Sequence, residues 1–296
     1  MYDSIIIGCG AAGMTAALNI LRNGKTVLIL EKEQIGGQIA SSPKVENFPG
    51  IKEISGLDFS MALFDQVINL GAVFELEEVL EINKNDDVFE VKTNYKTYTS
   101  RSVVIACGAE HNKLEAKGID KKGVSYCALC DGAFSKGEEV TVIGDANTAL
   151  QYVLLLSGIC KKVNLCMLFD HYFGEQILID KVESKENVSV YKELLLEEVT
   201  GGEEMDGLTF RNTRTNELIH FESKAVFIAI GQTPKTDIFE KLVDRNKQYI
   251  LTDDTMKTKT DGLYAIGDCR YKQVRQLTTA ANDAAICAFN LNRYLS

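Results

Sequence analysis

The 296-residue sequence lacks features that mark several classes of protein. It has only 3 prolines, which excludes long proline-rich linkers. No apolar run approaches the roughly 18 residues that a membrane-spanning helix needs, so we expect no membrane segment. Basic residues are in deficit, with 32 Lys and Arg against 42 Asp and Glu and a net charge of −10. General nucleic-acid binding requires a basic surface, and we therefore predict no nucleic-acid partner.

The N-terminus also lacks room for an export signal, because a strand-like apolar run begins almost at residue 3. We therefore expect a cytoplasmic location, where reducing conditions keep most thiols free. The sequence nevertheless has 8 cysteines, and several lie in apolar runs where a small buried side chain is expected. These are Cys9, Cys107, Cys166 and Cys287.

Apolar runs that end near a glycine recur along the chain. Their apolarity is continuous rather than alternating, which predicts strands of a parallel sheet covered on both faces. Helical stretches such as Ala12–Arg22 and Thr148–Ser157 lie between them, and this alternation predicts an α/β fold. The predicted strands are Ser4–Ile7, Thr26–Leu30, Val103–Ala106, Val140–Ile143, Val163–Leu165, Ala225–Ile230 and Leu263–Ile266.

Two segments of the chain resemble each other. Aligning Gly8 with Gly144 places SIIIGCGAAG beside VTVIGDANTA, and each segment continues as a helix and a second strand. The pattern predicts two Rossmann-like dinucleotide-binding domains, the second inserted in the first. We predict that residues 1–111 and 239–296 form the first domain and that residues 112–238 form the inserted one.

Gly8, Gly10 and Gly13 form a G-x-G-x-x-G motif between a predicted strand and a predicted helix. In this motif the first glycine allows a tight turn, the second lets the backbone approach a pyrophosphate, and the third allows close packing of the helix on the strand. Glu31 lies at the end of the next strand, where a carboxylate can accept hydrogen bonds from a ribose. The alternative is a tight turn without a ligand.

A second candidate lies near the C-terminus, where Asp268 follows Gly267 at a strand end. A carboxylate there can bind the polyol chain of a flavin, and capping a helix is the alternative role. The small-residue helix Thr278–Ala288 follows, and its N-terminus can stabilise negative charge on a reduced flavin.

Cys127 and Cys130 have C-x-x-C spacing, and Asp131 follows them directly. Two thiols at this spacing can form a disulfide and exchange with the disulfide of another protein. The neighbouring carboxylate can carry protons during the exchange. A structural zinc site is the alternative, but it needs four ligands, and there is no second C-x-x-C. The histidines are His111, His171 and His220. We predict no metal.

The whole chain resembles the low-molecular-weight thioredoxin reductases, through GCGAAG, GGQI, VENFPG, ACGA, YCALCDGAF, AIGQTP, and AIGDC followed by RQL. The resemblance implies FAD in the first domain, thioredoxin as the disulfide partner and, by analogy, a homodimer. It implies that Cys130 is the thiol nearest the flavin, that Cys127 attacks the thioredoxin disulfide, and that Asp131 is the acid/base. The residues that it implies for FAD are Gly8, Gly10, Ala11, Ala12, Gly13, Glu31, Lys32, Gly37, Gln38, Asn47, Gly267, Asp268, Arg275, Gln276 and Leu277.

The inserted domain departs from the family pattern, which binds NADPH through G-x-G-x-x-A and a basic cluster. Ala146 places a methyl group where the backbone must approach the pyrophosphate, and Asp145 adds negative charge beside it. Met167, Leu168 and Phe169 stand where the basic cluster is expected, and Phe173 stands where a further arginine is expected. Met167 occupies the position equivalent to Glu31, so the acid that would bind the ribose of NAD is missing as well.

A subgroup of the family is similar in lacking NADPH signatures and takes electrons from reduced ferredoxin. The sequence therefore predicts a flavin-dependent reductase of thioredoxin disulfide with ferredoxin as its donor. One alternative is an NADPH-dependent reductase with a divergent nucleotide site. Others are a flavin reductase with another donor or another disulfide partner, and a non-enzymatic flavin redox sensor. The acid beside the cysteine pair argues against the sensor, which does not need it.

Overall fold

The structure, a computed structural model, describes residues 1–42 and 44–296, apart from the side chain of Cys130. The chain divides into two compact units. Unit 1 comprises Met1–Ala40, Lys44–Glu110 and Thr233–Ser296, and unit 2 is built mainly from His111–Gln232. Within the described ranges, no helix combines the length and apolarity that crossing a bilayer would require.

Helices and strands alternate through much of both units. The helices are α1 (Ala11–Leu21), α2 (Gly56–Asn69), α3 (Ala128–Asp131), α4 (Asn147–Ser157), α5 (Gln176–Glu183) and α6 (Leu277–Tyr294). The strands are β1 (Tyr2–Ile7), β2 (Val27–Glu31), β3 (Val73–Leu76), β4 (Val79–Asn85), β5 (Val88–Thr93), β6 (Thr97–Ile105), β7 (Glu110–His111), β8 (Val124–Ser125), β9 (Glu139–Ile143), β10 (Lys162–Cys166), β11 (Val188–Tyr191), β12 (Leu194–Gly201), β13 (Met205–Asn212), β14 (Leu218–Glu222), β15 (Ala225–Ile228), β16 (Gln232–Thr233), β17 (Arg245–Asn246), β18 (Tyr249–Ile250) and β19 (Leu263–Ala265).

The main sheet of unit 1 has the order β3-β2-β1-β6-β5-β4, and β19 pairs with β6. The central pairs are parallel, whereas β4, β5 and the first half of β6 are antiparallel. Helices α1 and α6 pack on one face, over Ile6 and Val104. Ile5 and Ile7 point to the other face, where Phe89 of the antiparallel hairpin covers them. Since both faces are covered, β1 ends in a continuous apolar run, Ile5–Ile7.

Unit 2 repeats the parallel part of this arrangement in the order β11-β10-β9-β15-β8 and adds an antiparallel sheet, β12-β13-β14. Helices α4 and α5 pack on one face of the parallel sheet, over Val140 and Val142. Phe210 and Phe221 of the antiparallel sheet pack on the other face, against Ile143. The apolar runs of β9 and β10 therefore have the same cause as those of unit 1.

The predicted α/β class is confirmed, and every predicted strand and helix is present. The sequence analysis did not predict the two antiparallel additions, β4–β5 and β12–β14. Residues 233–238, which we predicted to lie in the inserted domain, belong to unit 1, whereas Ser41, Ser42 and His111, which we predicted to lie in the first domain, belong to unit 2. For residues 233–238 the reason is local, since Thr236 Oγ1 donates to Gln248 O at 2.6 Å and Phe239 lies in the unit 1 core. The fold alone does not identify the nucleotide that each unit binds.

Candidate functional site

The G-x-G-x-x-G turn connects β1 to α1, and its three glycines differ in what requires them. Gly8 has φ +110°, and an added Cβ would lie 2.3 Å from Ala106 O. At Gly13 an added Cβ would lie 2.0 Å from Gly8 O. At Gly10 φ is an ordinary −78°, and an added Cβ would meet only Gly36 O at 3.8 Å. Protein packing therefore requires the first and third glycines, while the space over Gly10 is open to a ligand.

Helix α1 begins beside this space with Ala11 and Ala12. Gly10 is its N-cap and makes no side-chain capping bond, so no capping side chain covers the first N–H groups. Such a helix start favours an anion. The turn at Gly267 packs on it, because an added Cβ at Gly267, where φ is +73°, would lie 2.9 Å from Ala12 Cβ. The structure thus brings the glycine turn near the N-terminus and the Gly267 turn near the C-terminus together at the start of α1.

The Glu31 carboxylate is held in place by three backbone N–H groups. Cys9 N–H donates to Oε2 at 2.8 Å, and the N–H groups of Lys32 and Glu33 donate to Oε1 at 2.9 and 3.0 Å. The first of these bonds links the end of β2 to the glycine turn. The Lys32 ammonium points elsewhere, toward Glu110 and toward Glu33 at 3.2 Å. Glu31 therefore lies where the sequence analysis expected a ribose acceptor, and Lys32 contributes its backbone there.

The segment after β2 lies along the same turn. Gly37 has φ +56°, and an added Cβ would lie 3.4 Å from the Cα of the second motif glycine. Gln38 Nε2 donates to Ala109 O at 3.0 Å, at the end of the ACGA segment. Asn47 Nδ2 donates to Gln276 Oε1 at 3.3 Å, although 229 positions separate the two residues. The predicted FAD residues of unit 1 therefore converge from distant parts of the chain.

Asp268 has a carboxylate oxygen that lacks a partner. Its Oδ1 atom is buried and accepts no hydrogen bond from any described residue. Burial raises the pKa of Asp268, while the charges of Lys272 and Arg275 act in the opposite direction. Arg275 Nε donates to Asp268 O at 3.4 Å, and its guanidinium carbon lies 4.0 Å from the centre of the Tyr249 ring. A buried acceptor without a donor points to a ligand hydroxyl.

Helix α6 begins at Leu277 and is capped by Gln276, not by Asp268. The Gln276 side chain accepts from the backbone of Thr279, and Thr279 Oγ1 accepts from Gln276 N–H at 3.1 Å. The alternative role of Asp268 as a helix cap is therefore wrong. The polyol role of its carboxylate stays a prediction.

Cys127 precedes α3 and is disulfide-bonded. Its backbone N–H donates to Ser125 Oγ at 3.0 Å, and Ser125 donates in turn to Asp131 Oδ2 at 2.6 Å. The backbone of Cys130 lies in α3, and its side chain is outside the part that the structure describes. Sequence reasoning missed Ser125, whose only signal is a hydroxyl two residues before the motif. The free cysteines are Cys9, Cys107, Cys160, Cys166, Cys269 and Cys287, of which all but Cys107 are buried.

The corresponding turn of unit 2 keeps the backbone of a dinucleotide fold. Gly144 has φ +146°, and an added Cβ would lie 2.3 Å from Ala229 O. Ala146 is the N-cap of α4, so its methyl group stands at the helix start. Burial raises the pKa of the neighbouring Asp145. When it is ionised, this carboxylate repels a phosphate at the same helix end.

The residues that replace the basic cluster are apolar and pack on one another. The Phe173 ring lies 5.4 Å from that of Phe169 and 4.5 Å from that of His171. Leu168 and Phe169 are 41% and 46% exposed, whereas Met167 is buried in the core. Residues 163–175, from the second residue of β10 through the turn that follows it, contain no lysine or arginine.

Two cationic side chains from other segments lie near the turn that follows β10. Aligning the two glycine motifs does not reveal them. Lys192 Nζ lies 5.3 Å from the centre of the Tyr172 ring. Arg214 pairs with Glu193 at 3.4 Å, and its charge adds to the hydrogen bond from His171 that chiefly lowers the pKa of Asp170. Both are therefore already engaged by groups of unit 2.

Comparison with known proteins identifies the class. Residues 2–284 match the pyridine nucleotide-disulphide oxidoreductase family. The thioredoxin reductase of Bacillus subtilis is 36% identical over 100% of this chain and 95% of that protein. A 34.2 kDa protein in the rubredoxin operon of Clostridium pasteurianum is 32% identical over 99% of this chain and 97% of that protein. The crystal structure of Lactococcus lactis thioredoxin reductase has a TM-score of 0.97 and 32% identity, covering 100% of this chain and 99% of that one.

The chain is a pyridine nucleotide-disulphide oxidoreductase by fold and sequence. Within that class it belongs to the thioredoxin reductases, which are flavin disulfide oxidoreductases with FAD as their cofactor. The predicted family and the predicted cofactor are thus confirmed, and the ferredoxin-linked subgroup stays a prediction. Unit 1 fits FAD on its own geometry, because it offers space over Gly10, an uncapped start of α1 for phosphates, and the unpaired Oδ1 of Asp268 for a hydroxyl.

Proposed function

We propose that this protein reduces the disulfide of a thioredoxin through Cys127 and Cys130, with electrons that FAD in unit 1 receives from a ferredoxin-type iron–sulfur protein. FAD suits this role because a flavin accepts single electrons and delivers a pair. Gly10, Glu31 and Asp268 would hold its pyrophosphate, ribose and polyol chain. Unit 2 would then supply the redox dithiol and bind no NADPH.

The thiol steps follow from the residues around α3. Two electrons and two protons open the disulfide of Cys127 and Cys130 to two thiols. The Cys127 thiolate attacks one sulfur of the thioredoxin disulfide, forming a mixed disulfide and releasing a thioredoxin thiolate. The Cys130 thiolate then attacks Cys127, which restores the protein disulfide and releases the second thioredoxin thiolate. Ser125 links the Asp131 carboxylate to the backbone N–H of Cys127, which supports Asp131 as the proton acceptor of the exchange.

The proposed donor rests on the chemistry of the unit 2 turn. The carboxyl of Asp145 and the methyl of Ala146 stand at the start of α4, where the pyrophosphate of NADPH would bind. A missing charge-assisted phosphate contact costs about 1.5–3 kcal/mol, and about 1.4 kcal/mol is tenfold in affinity. Several such losses weaken NADPH binding by orders of magnitude.

An anaerobic turnover assay tests this proposal. Reduced ferredoxin and oxidised thioredoxin are mixed with the protein, and new thioredoxin thiols are counted. We expect two thiols for every two electrons supplied, and no thiols above background with Cys127→Ser. The matched control is Cys160→Ser, which changes a buried free cysteine of unit 2 and leaves turnover in place.

Turnover with NADPH and not with reduced ferredoxin would replace the proposed donor by the NADPH alternative and leave the dithiol chemistry standing. Failure with both donors while FAD is bound would favour another donor, another disulfide partner or a sensor role. The homodimer and the cytoplasmic location stay predictions.

A further inference from the structure

Four charged side chains of alternating sign form a cluster in unit 1 next to α6. Asp283 lies on α6, while Arg270, Lys272 and Asp268 lie in the segment before that helix. The side chains of Asp283, Lys272 and Arg270 are only 4%, 10% and 14% exposed. Buried charges on this scale persist only when they are paired, so this cluster requires an explanation.

Asp283 is the fixed point of this cluster. Its Oδ1 accepts from Arg270 Nη1 at 3.0 Å, and its Oδ2 accepts from Lys272 Nζ at 2.9 Å. Oδ2 also accepts from the backbone N–H of Gly267 at 3.1 Å. One carboxylate thus holds both the lysine and the turn that carries Asp268.

Lys272 faces Asp268 from this anchored position. An ammonium group has three donors, and two of them reach Asp283 and Thr279 Oγ1, the latter at 3.3 Å. Its nitrogen lies 3.8 Å from Asp268 Oδ1, which is too far for a hydrogen bond but close enough for charge attraction. That oxygen is the buried acceptor without a partner.

We propose that Lys272, anchored by Asp283, is a positioning residue that keeps the Asp268 carboxylate ionised and oriented toward a hydroxyl of the FAD polyol chain. The inference rests on the proposed role of Asp268 as a FAD ligand. It adds a residue that acts through Asp268 without touching the cofactor. Arg270 serves the same end indirectly, because it donates to the other carboxylate oxygen of Asp283 and so helps to fix that side chain.

The charges around Asp268 determine the sign of the pH effect. Burial raises the pKa of Asp268 and Asp283 raises it further, whereas Lys272 and, less strongly, Arg275 lower it. Removing the lysine charge therefore raises this pKa again. The ionised carboxylate is the stronger acceptor for a hydroxyl. As the pH is lowered, Asp268 should therefore become protonated, and FAD affinity should fall, at a higher pH in this variant than in the unchanged protein.

The test uses the holoprotein and measures FAD release by the fluorescence of free FAD across a pH series. For Lys272→Met we expect the FAD dissociation constant to rise roughly 10- to 100-fold at mildly acidic pH and by less as the pH increases. Lys272→Arg keeps the charge and should keep the original pH profile. A loss of equal size at every pH, or the same profile shift in Lys272→Arg, would show a merely structural role and overturn the inference.

A double-mutant cycle separates this inference from the site on which it rests. Asp268→Asn alone should weaken FAD binding, and adding Lys272→Met should then cost little more, because the lysine acts through the carboxylate. Additive losses would overturn the role of Lys272 and leave Asp268 in the site. Unchanged FAD affinity in Asp268→Asn would instead remove Asp268 from the FAD site, and the inference with it.

Discussion

The two units contain a similar turn between strand and helix, and both keep its first glycine with the same backbone hydrogen bond. Gly8 N–H donates to Leu30 O at 2.8 Å, and Gly144 N–H donates to Cys166 O at 3.1 Å. An added Cβ would lie 2.3 Å from a carbonyl oxygen of the neighbouring strand at either glycine. The first glycine is therefore required by the fold in both units, whether or not a nucleotide binds.

The units differ at the positions that the fold leaves unconstrained. Gly10 of unit 1 corresponds to Ala146 of unit 2, although no atom of the described residues lies close enough to Gly10 to exclude a methyl group. Glu31, held by three N–H groups beside the turn, corresponds to the buried Met167. A glycine that protein packing does not require, followed by a fixed carboxylate, thus indicates a working dinucleotide site. Unit 2 has lost both features while keeping the fold.

We expect the largest effect on activity from substitutions in the dithiol of Cys127 and Cys130, whose exchange chemistry unit 2 would retain. Cys127→Ser should lower thioredoxin reduction by at least ~10³-fold, because it removes a nucleophile. Cys130→Ser should do the same by removing the thiol that resolves the mixed disulfide. FAD should stay bound in both, and Cys127→Ser should leave a Cys130 thiolate that forms a coloured complex with the flavin. Turnover and visible absorbance measure both results, and normal turnover in either variant would make the pair structural.

Glycine substitutions separate the requirement for folding from the requirement for FAD binding. Gly8→Ala and Gly144→Ala should each lower the free energy of unfolding by at least ~3 kcal/mol, because φ is positive and a carbonyl oxygen lies in the way. Gly10→Ala should change the stability of the FAD-free protein by no more than ~1 kcal/mol, since its φ is ordinary and the space is open. It should nevertheless weaken FAD binding. Denaturant unfolding of the FAD-free variants and FAD titration provide the two readouts.

The Glu31 carboxylate should matter for FAD more than its neighbour does. Glu31→Ala should raise the FAD dissociation constant roughly 10- to 100-fold, because it removes the ribose acceptor and releases three backbone N–H groups. Glu33→Ala is the matched control, since that side chain is exposed and pairs only with Lys32 among the described residues. Equal FAD affinity in the two variants would contradict the role of Glu31.

The smallest effect is expected from rebuilding unit 2. The combined change Ala146→Gly, Leu168→Arg and Phe169→Arg restores backbone access and two cations, and we expect weak NADPH binding that the unchanged protein lacks. Leu168 and Phe169 are both more than a third exposed, so the arginines remain in water and stability should change by only ~1 kcal/mol. Calorimetric titration with NADPH measures the gain, with NADH as the control that lacks the 2′-phosphate. Asp145 remains in this variant, so we expect partial recovery.

The features that could be predicted from the sequence are those that depend on local patterns. Gly8, Gly13 and the apolar runs around them are decided by neighbours a few positions away, and the structure has the strands and helices that they predict. Cys127, Cys130 and Asp131 were visible for the same reason, as a contiguous motif.

Contacts between distant segments could not be predicted from the sequence. Nothing local links Asn47 to Gln276, or Lys272 to Asp283, because each pairing depends on how several strands and α6 pack together. The antiparallel sheet β12–β14 alternates buried and exposed residues over short strands, a weaker signal than a continuous apolar run. Arg214 reaches the unit 2 turn from the loop between β13 and β14, which an alignment of the two turns cannot show.

Anaerobic reduction of the bound flavin tests the difference between the two units most directly. NADPH, NADH or reduced ferredoxin is added separately to the oxidised holoprotein, and the loss of flavin absorbance is followed in time. We predict rapid bleaching by reduced ferredoxin and slow or no bleaching by either nicotinamide nucleotide, even at millimolar concentration. Rapid, saturable bleaching by micromolar NADPH would contradict the account, because unit 2 would then be a working nucleotide site despite Asp145 and Ala146.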